Sequence, residues 1–204
     1  MGKILIINGS PRAPRSHSAR FAQIFGERCK AETEHVQLLH ADHVQQARKF
    51  EDCSDVLFVF PLYADGVPAI LLEFLKSLSA APPTHRPVLS VLINCGFQEP
   101  WQNDSAVAIM RCFAHMEGYP FGSVLKVGSG EAILSTPFAL LVNAAIIRLA
   151  RAITAGRHRE LQVSMPMPKW MFIKASRHYW IEYGRRNGID EASMASLLIE
   201  DQEK

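Results

Sequence analysis

Short aliphatic runs alternate with longer segments of helical spacing along the first 130 residues. The runs predict four strands: KILIIN (3–8), HVQLLH (35–40), DVLFVF (55–60) and PVLSVLIN (87–94). A fifth strand is expected near 122–128, and helices are expected at 17–30, 43–52, 68–79, 101–117 and 137–154. The first, third and fourth runs are continuous enough to be buried on both faces. This order predicts an α/β fold, namely a doubly wound five-stranded parallel sheet with helices on both faces.

The composition of the chain changes near residue 156. Residues 157–186 hold seven Arg or Lys against two Glu, whereas residues 187–204 hold five acids against one Lys. We therefore expect a sheet domain over 1–155 and a C-terminal extension over 156–204. The extension is expected to pack on the core or on a second subunit and to end in a polar tail.

Charge and cysteine content exclude several classes of protein. A net charge of +2 is too balanced to indicate nucleic-acid binding. The four cysteines lack paired spacing, so neither a disulfide framework nor a metal site is expected. The longest apolar stretch, TPFALLVNAAII, stops well short of the roughly 20 residues that span a membrane. The N-terminus does not resemble a signal peptide, so we expect a cytoplasmic protein.

The loops that follow the predicted strands are rich in glycine, proline and small polar residues. They are NGSPRAPRSHS (8–18), PLYADGVP (61–68), NCGFQEP (94–100) and GSGEA (128–132). Open α/β sheets bind ligands beyond the carboxyl ends of their strands. Small residues let backbone N–H groups approach such a ligand closely, so the sequence predicts a binding site at this edge of the sheet.

The first of these loops has the residue types of a phosphate site. A phosphate at a helix N-terminus meets unpaired backbone N–H groups and the positive end of the helix dipole. The candidates that would add hydroxyl donors and charge are Ser10, Arg12, Ser16, His17 and Ser18. The alternative is that Ser16 or Ser18 only caps the helix. The loop lacks both a P-loop frame and the triple glycine of dinucleotide folds, which leaves a cradle suited to a mononucleotide.

Three segments in this order resemble the flavodoxin-like NAD(P)H-dependent FMN reductases and quinone reductases. GSPRAPRSHS is similar to the family's phosphate loop, and the resemblance places the five candidates above around the FMN phosphate. PLYADGVPAILLEFLKSL looks like the loop and helix after the third strand, and NCGFQE resembles the loop after the fourth. The residues that the resemblance places along the isoalloxazine ring or at its polar edge are Pro61, Leu62, Tyr63, Ala64, Asp65, Asn94, Cys95, Gly96 and Phe97.

The resemblance implies an oxidoreductase in which FMN carries the redox chemistry. NAD(P)H would stack on the open face of the ring, pass hydride, and be replaced by a quinone, a flavin or a similar small acceptor. No side chain is then required as a catalytic acid, base or nucleophile. Two alternatives remain open. One is a non-enzymatic electron carrier like flavodoxin, and the other is a regulatory protein that keeps the fold without turnover.

Several residues have a second interpretation. Cys95 is either a reactive thiol or a small residue beneath the ring, and Tyr63 and Phe97 either flank the flavin or pack in the core. The segment MPMPKWMFIKASRHYW is either a subunit interface or a basic amphipathic membrane surface. We expect the interface, and hence a homodimer or homotetramer in which helix 137–154 takes part.

Overall fold

A computed structural model describes residues 2–196 of the chain. The strands are β1 (Ile4–Asn8), β2 (Thr33–Gln37), β3 (Asp55–Pro61), β4 (Val88–Asn94), β5 (Phe121–Val127) and β6 (Glu160–Val163). The α-helices are α1 (His17–Arg28), α2 (His43–Arg48), α3 (Ala69–Ala80), α4 (Asp104–Met116), α5 (Ala139–Thr154), α6 (Lys169–Arg186) and α7 (Glu191–Ala195). Short 3-10 helices cover Lys49–Asp52, Pro100–Asn103 and Ile133–Ser135.

The strands form one parallel sheet in the order β2-β1-β3-β4-β5-β6. Ile4 of β1 lies between Thr33 of β2 and Asp55 of β3, and both pairings are parallel. The chain forms β2 on one side of β1 and then returns to form β3 on the other side. The loops after β1 and β3 therefore diverge, which creates the crevice where open α/β sheets bind ligands. The predicted doubly wound parallel sheet is confirmed.

The two faces of the sheet are buried under different helices. On one face, Phe58 of β3 packs against Phe74 of α3, with ring centroids 6.4 Å apart, in a cluster that also contains Met110 of α4. Strand side chains alternate, so the other face carries the intervening residues. It is covered by α1 and α5, which contact each other and bury Phe21 and Ile146. This packing fixes where the N-terminus of α1 meets the sheet.

The sheet extends one strand further than predicted. Val124 of β5 lies opposite Glu160 and Val127 lies opposite Val163, so β6 continues the sheet in parallel. The predicted boundary at 155/156 falls before this strand, whereas the compact unit that contains the sheet extends to Met165. The sequence ELQV of β6 has only four residues and one aliphatic pair, which is too weak a pattern to predict a strand.

A second compact unit begins at Pro166 and contains α6 and α7. α6 begins directly after Pro168. Proline has no backbone N–H, but an N–H at the start of a helix has no intrahelical acceptor, so the proline does not weaken the helix. Arg177 Nη2 lies 2.8 Å from Glu191 Oε1, which joins the two helices. The large apolar side chains that α6 exposes are Trp170, Met171, Ile173, Tyr179, Trp180 and Tyr183.

Over residues 2–196, no helix combines the length and apolarity needed to cross a membrane. Residues 197–204 of the predicted polar tail (187–204) lie outside the described residues. Packing of the extension on the core or on a second subunit stays a prediction.

Candidate functional site

The loops after β1, β3 and β4 meet in one cleft at the β1/β3 switch point. The cleft has a volume of 290 Å³. Its lining residues are Ser10, Pro11, Arg12, Ser16, His17, Ser18, Pro61, Leu62, Tyr63, Asn94, Cys95, Gly96 and Glu131. Three predicted residues are not part of this lining: Ala64 and Asp65, predicted along the ring, and Phe97, predicted at its polar edge. The topology thus gathers into one cleft most of the candidates from three separate loops.

Ser16 caps the N-terminus of α1. Its Oγ accepts a hydrogen bond from the Ala19 N–H at 3.1 Å, and its carbonyl accepts one from the Arg20 N–H at 3.2 Å. The N–H groups of His17 and Ser18 come earlier in the helix and have no intrahelical acceptor. The hydroxyl proton of Ser16 is not used by the cap and can still be donated. Capping and anion binding are therefore compatible at this residue.

Ser10 holds the turn between β1 and α1 from inside. Its N–H donates to Asn8 Oδ1 at 3.0 Å, and its Oγ accepts from the Arg12 N–H at 3.3 Å. Ser10 is almost completely buried, whereas the side chain of Arg12 is 68% exposed. The turn is thus fixed at its base, and the guanidinium of Arg12 lies exposed at the rim.

Asn94 joins the ends of three elements that form the cleft. Its buried Nδ2 donates to Ser18 Oγ at 2.9 Å and to the Phe60 carbonyl at 3.1 Å. One amide group at the end of β4 therefore ties the start of α1 to the end of β3. Ser18 accepts in this contact, so its hydroxyl proton points elsewhere and is available to a ligand acceptor.

Glu131 lines the cleft although, like Pro11, it is not among the site residues predicted from the sequence. Its Oε2 lies 3.5 Å from Arg12 Nη2 and its Oε1 lies 3.8 Å from His17 Nε2. The carboxylate therefore contacts the guanidinium and the imidazole of the predicted phosphate cradle. The sequence places GSGEA among the strand-end loops. An anion-binding site is not expected to contain a carboxylate, however, so the sequence does not predict Glu131 as a site residue.

His17 titrates below its ordinary range. Burial in the cleft wall lowers the pKa of the imidazole, and the neighbouring Glu131 carboxylate only partly opposes this effect. Its Nδ1 is buried without a hydrogen-bond partner in the described chain. Buried polar atoms are rarely left without a partner, so this nitrogen is a candidate ligand contact.

The loop after β3 forms a tight turn at the rim of the cleft. Tyr63 and Gly66 exchange backbone hydrogen bonds of 3.1 and 3.0 Å, and the two residues between them have positive φ: 45° at Ala64 and 56° at Asp65. These angles define a type I′ turn, which Ala adopts only with strain. Ser105 Oγ of α4 donates to the Asp65 carbonyl at 2.5 Å and holds the turn. Tyr63, 63% exposed, is thereby fixed beside the cleft.

Cys95 is a buried thiol with three polar contacts. Its Sγ accepts from Asn103 Nδ2 at 3.3 Å and lies 3.7 Å and 3.8 Å from the carbonyl oxygens of Phe97 and Glu99. Burial raises the pKa of this thiol, although the Asn103 contact acts in the opposite direction. A protonated, hydrogen-bonded thiol is a poor nucleophile, so Cys95 has the surroundings of a structural residue. Phe97 is half exposed outside the cleft lining.

The two ends of the cleft present different chemical groups to a ligand. The end at α1 offers hydroxyl protons, helix N–H groups and a guanidinium, all of which are donors. The other end presents Leu62 and the ring of Tyr63 beside Gly96. No group of three metal-ligating side chains occurs within residues 2–196. The cleft can therefore bind a ligand with an acceptor-rich anionic end and a flat apolar body.

Fold and cleft together define a flavodoxin-like protein with a donor-rich crevice at the switch point. Solved structures support this assignment of the fold. A flavodoxin of Streptococcus pneumoniae TIGR4 matches with a TM-score of 0.58 at 14% identity, covering 76% of this chain and 99% of its own. An NADPH-quinone reductase from P. pentosaceus matches with a TM-score of 0.58 at 16% identity, covering 74% and 98%.

A third solved structure was determined with a bound ligand. The FMN-dependent NADH-azoreductase of Bacillus anthracis str. Ames Ancestor, in complex with FMN, matches with a TM-score of 0.55 at 17% identity, covering 78% of this chain and 100% of its own. No family model and no curated protein matches the sequence. At these identities the likeness establishes the flavodoxin-like fold.

Proposed function

We propose that this protein is an FMN-dependent NAD(P)H oxidoreductase that passes hydride from a nicotinamide through FMN to a quinone, a flavin or a similar small acceptor. The observation that carries the proposal is the cleft at the β1/β3 switch point, which joins a donor-rich helix N-terminus to an apolar wall of Leu62 and Tyr63. The solved structures of this fold include an azoreductase in complex with FMN and an NADPH-quinone reductase.

The residues at the α1 end of the cleft fit a phosphate group. Ser16 and Ser18 keep a hydroxyl proton to donate, because the hydrogen bonds of the cap and of Asn94 use only their oxygen lone pairs. Arg12 supplies charge at the rim, and the unpartnered Nδ1 of His17 supplies a further polar contact. Ser10 acts from beneath the turn by holding its shape. Glu131 is the opposing feature, because its carboxylate competes with a phosphate for the guanidinium of Arg12.

The residues at the other end fit the flavin ring. Leu62, Tyr63 and Gly96 would lie along the ring, and Pro61 and Asn94 would hold the loops that flank it. The flavin, when bound, supplies the hydride chemistry, and the protein contributes position, an open face and electrostatics. The backbone N–H of Gly96 would stabilise negative charge on the ring. Cys95 remains a packing residue beneath this wall, and no acid, base or nucleophile is assigned.

Electron transfer without catalysis is the second candidate, since a flavodoxin is among the proteins with this fold. Carriers that dock on redox partners use a strongly charged surface to steer the encounter. The net charge of this chain is only +2, which favours the enzyme. A carrier would give up its electrons to a protein partner and would not be reduced by a pyridine nucleotide.

We further propose that the protein acts in the cytoplasm as a homodimer or homotetramer. The four free cysteines suit a reducing compartment. α5 exposes Leu140 and Leu141, and α6 exposes an aromatic cluster in which the Tyr179 and Trp180 ring centroids lie 5.2 Å apart. Apolar surfaces of this kind are typical of subunit interfaces. A monomer at micromolar concentration in light scattering would contradict this assignment.

The decisive experiment is the visible spectrum of the purified protein, followed by anaerobic addition of NADPH or NADH. We expect one non-covalent FMN per chain, loss of the flavin absorption on adding the nicotinamide, and recovery of the colour with a quinone. Absence of any FMN effect on fluorescence or melting temperature would refute the cofactor assignment, because a ligand specific to the native state must raise stability. Bound FMN that no nicotinamide reduces would favour the carrier.

A further inference from the structure

A second cleft of 290 Å³ lies between the C-terminal end of α5 and the start of β6. Its lining residues are Arg148, Arg151, Ala152, Arg157, Arg159 and Leu161. This place is at the amino ends of the strands, whereas the candidate flavin cleft lies beyond their carboxyl ends. Four of the six lining residues are arginines, so the cleft is strongly cationic.

The backbone that carries these arginines is well fixed. Ser123 Oγ of β5 donates to the Arg157 carbonyl at 2.8 Å and accepts from the Arg159 N–H at 3.1 Å. Arg148 and Arg151 are three residues apart on α5, which makes them neighbours on one helix face. Each wall of the cleft therefore contributes two arginines from a defined position.

The positive charge of this cleft is not compensated by nearby acids. Within residues 2–196, none of the four guanidinium groups forms an ion pair, and no acidic side chain lines the cleft. The adjacent Glu160 is engaged elsewhere, with Oε1 2.9 Å from Lys126 Nζ and Oε2 3.6 Å from Arg111 Nη2. Strand alternation places Glu160 on the face opposite to Arg159. An anion would therefore relieve the mutual repulsion of four cations.

The end of α5 does not offset this charge with free carbonyl groups. A helix C-terminus ordinarily repels anions through its unsatisfied carbonyl oxygens. Here the N–H groups of Ala155, Gly156 and Arg157 donate to carbonyls of the last turn at 3.2, 3.0 and 2.9 Å. Gly156 adopts a φ of 60°, which permits this cap. The helix end thus presents capped carbonyl groups and cationic side chains.

We propose that this cleft binds a small ligand that carries two adjacent phosphate groups. Guanidinium groups pair with phosphate oxygens in a bidentate geometry, and two arginines on each wall match the charge of a diphosphate better than that of a single phosphate. Ala152 and Leu161 leave the floor of the cleft apolar, which suits the uncharged part of such a ligand. The proposal does not depend on FMN binding at the other edge of the sheet.

The test is isothermal titration of the full-length protein with inorganic pyrophosphate and, separately, with orthophosphate. We expect one pyrophosphate per chain, bound at least about tenfold more tightly than orthophosphate, because twice as many charge-assisted hydrogen bonds form. Replacing one arginine on each wall, Arg151→Gln with Arg159→Gln, should weaken pyrophosphate binding at least about tenfold. The matched control is Arg28→Gln with Arg48→Gln, which removes the same charge from exposed arginines of α1 and α2.

Three results would overturn the proposal. Equal affinity of the unaltered protein for pyrophosphate and orthophosphate would show that adjacent phosphates are not recognised. An equal loss of pyrophosphate affinity in the Arg28→Gln with Arg48→Gln control would show that binding depends only on the overall charge of the protein. Binding of a single-stranded oligonucleotide without any binding of pyrophosphate would assign the cleft to a nucleic-acid backbone instead. The first comparison needs no variant, so a variant that fails to fold does not prevent the test.

Discussion

Replacing Glu131 with Gln should tighten the binding of FMN and leave riboflavin binding unchanged. The carboxylate contacts the guanidinium of Arg12 and the imidazole of His17, two groups that a flavin phosphate would use. Gln has nearly the same shape and no charge, so the substitution removes repulsion without opening a cavity. Riboflavin has the same ring without the phosphate and therefore isolates the electrostatic effect.

The size of the effect follows from the contact distances. Glu131 lies 3.5 Å from the Arg12 guanidinium, and a phosphate oxygen that accepts from the same group would place the two anions about 7 Å apart. Arg12 is 68% exposed, so solvent screens the pair and a dielectric constant of about 40–80 applies. A phosphate with a charge near −2 is then repelled by about 1–2 kcal/mol. Its loss corresponds to a roughly five- to thirtyfold gain in FMN affinity.

The assay is fluorescence titration of the unaltered protein and of Glu131→Gln with FMN and with riboflavin at fixed ionic strength. Glu73→Gln is the matched control, because it removes an exposed carboxylate from α3 that pairs only with Lys76 among the described residues. An unchanged ratio of FMN to riboflavin affinity in Glu131→Gln would refute the reasoning. A lower FMN affinity would show that the carboxylate instead holds Arg12 and His17 in the binding position.

Three further predictions concern the same loops. The double variant Ser16→Ala with Ser18→Ala should lower FMN affinity at least about a hundredfold, because two charge-assisted hydrogen bonds of about 1.5–3 kcal/mol each are lost. The measurement is titration of the variant with FMN and with riboflavin. If the variant still prefers FMN over riboflavin, these serines do not hold the phosphate. Gly128→Ala should destabilise the fold by about 1–3 kcal/mol in urea unfolding, because the new Cβ would lie 2.5 Å from a backbone oxygen. The control is Gly96→Ala, whose new Cβ would meet no atom within 4 Å and should leave the unfolding free energy unchanged. Burial lowers the pKa of folded His17 below the ordinary 6.5, so its contribution to stability is present above about pH 6.5 and lost on acidification. His17→Asn should therefore weaken the pH dependence of the unfolding free energy between about pH 7.5 and 5.5, and an identical slope would contradict this.

The sheet could be predicted because its central strands are continuous aliphatic runs between glycine- and proline-containing loops. β3 and β4 were predicted within one residue of their ends. β2 was predicted at 35–40 but spans Thr33–Gln37, since an edge strand with one buried residue has a weak pattern. Tertiary pairing with β5, rather than local sequence, determines β6.

Site residues could be predicted where their position follows from the sheet topology. They could not be predicted where their position depends on how a loop folds. Pro61, Leu62 and Asn94 had to lie together because parallel strands bring their carboxyl ends to one edge. Ala64 lies in the positive-φ turn and outside the lining, and sequence alone does not predict such a turn for Ala. Glu131 was missed because its contact with α1 depends on how the loop after β5 folds back.

The two outermost strands determine how copies of this protein can associate. β2 and β6 have five and four residues, and their sequences TEHVQ and ELQV place polar or charged side chains along the open edges. Glu34 on β2 is also bridged by Lys3 and Lys49, which puts charge beside the unpaired backbone groups. Short, charged edges resist the addition of a further strand from another chain and so protect against aggregation. Any stable assembly is therefore expected to form through helix faces, with the sheets of separate copies remaining discontinuous.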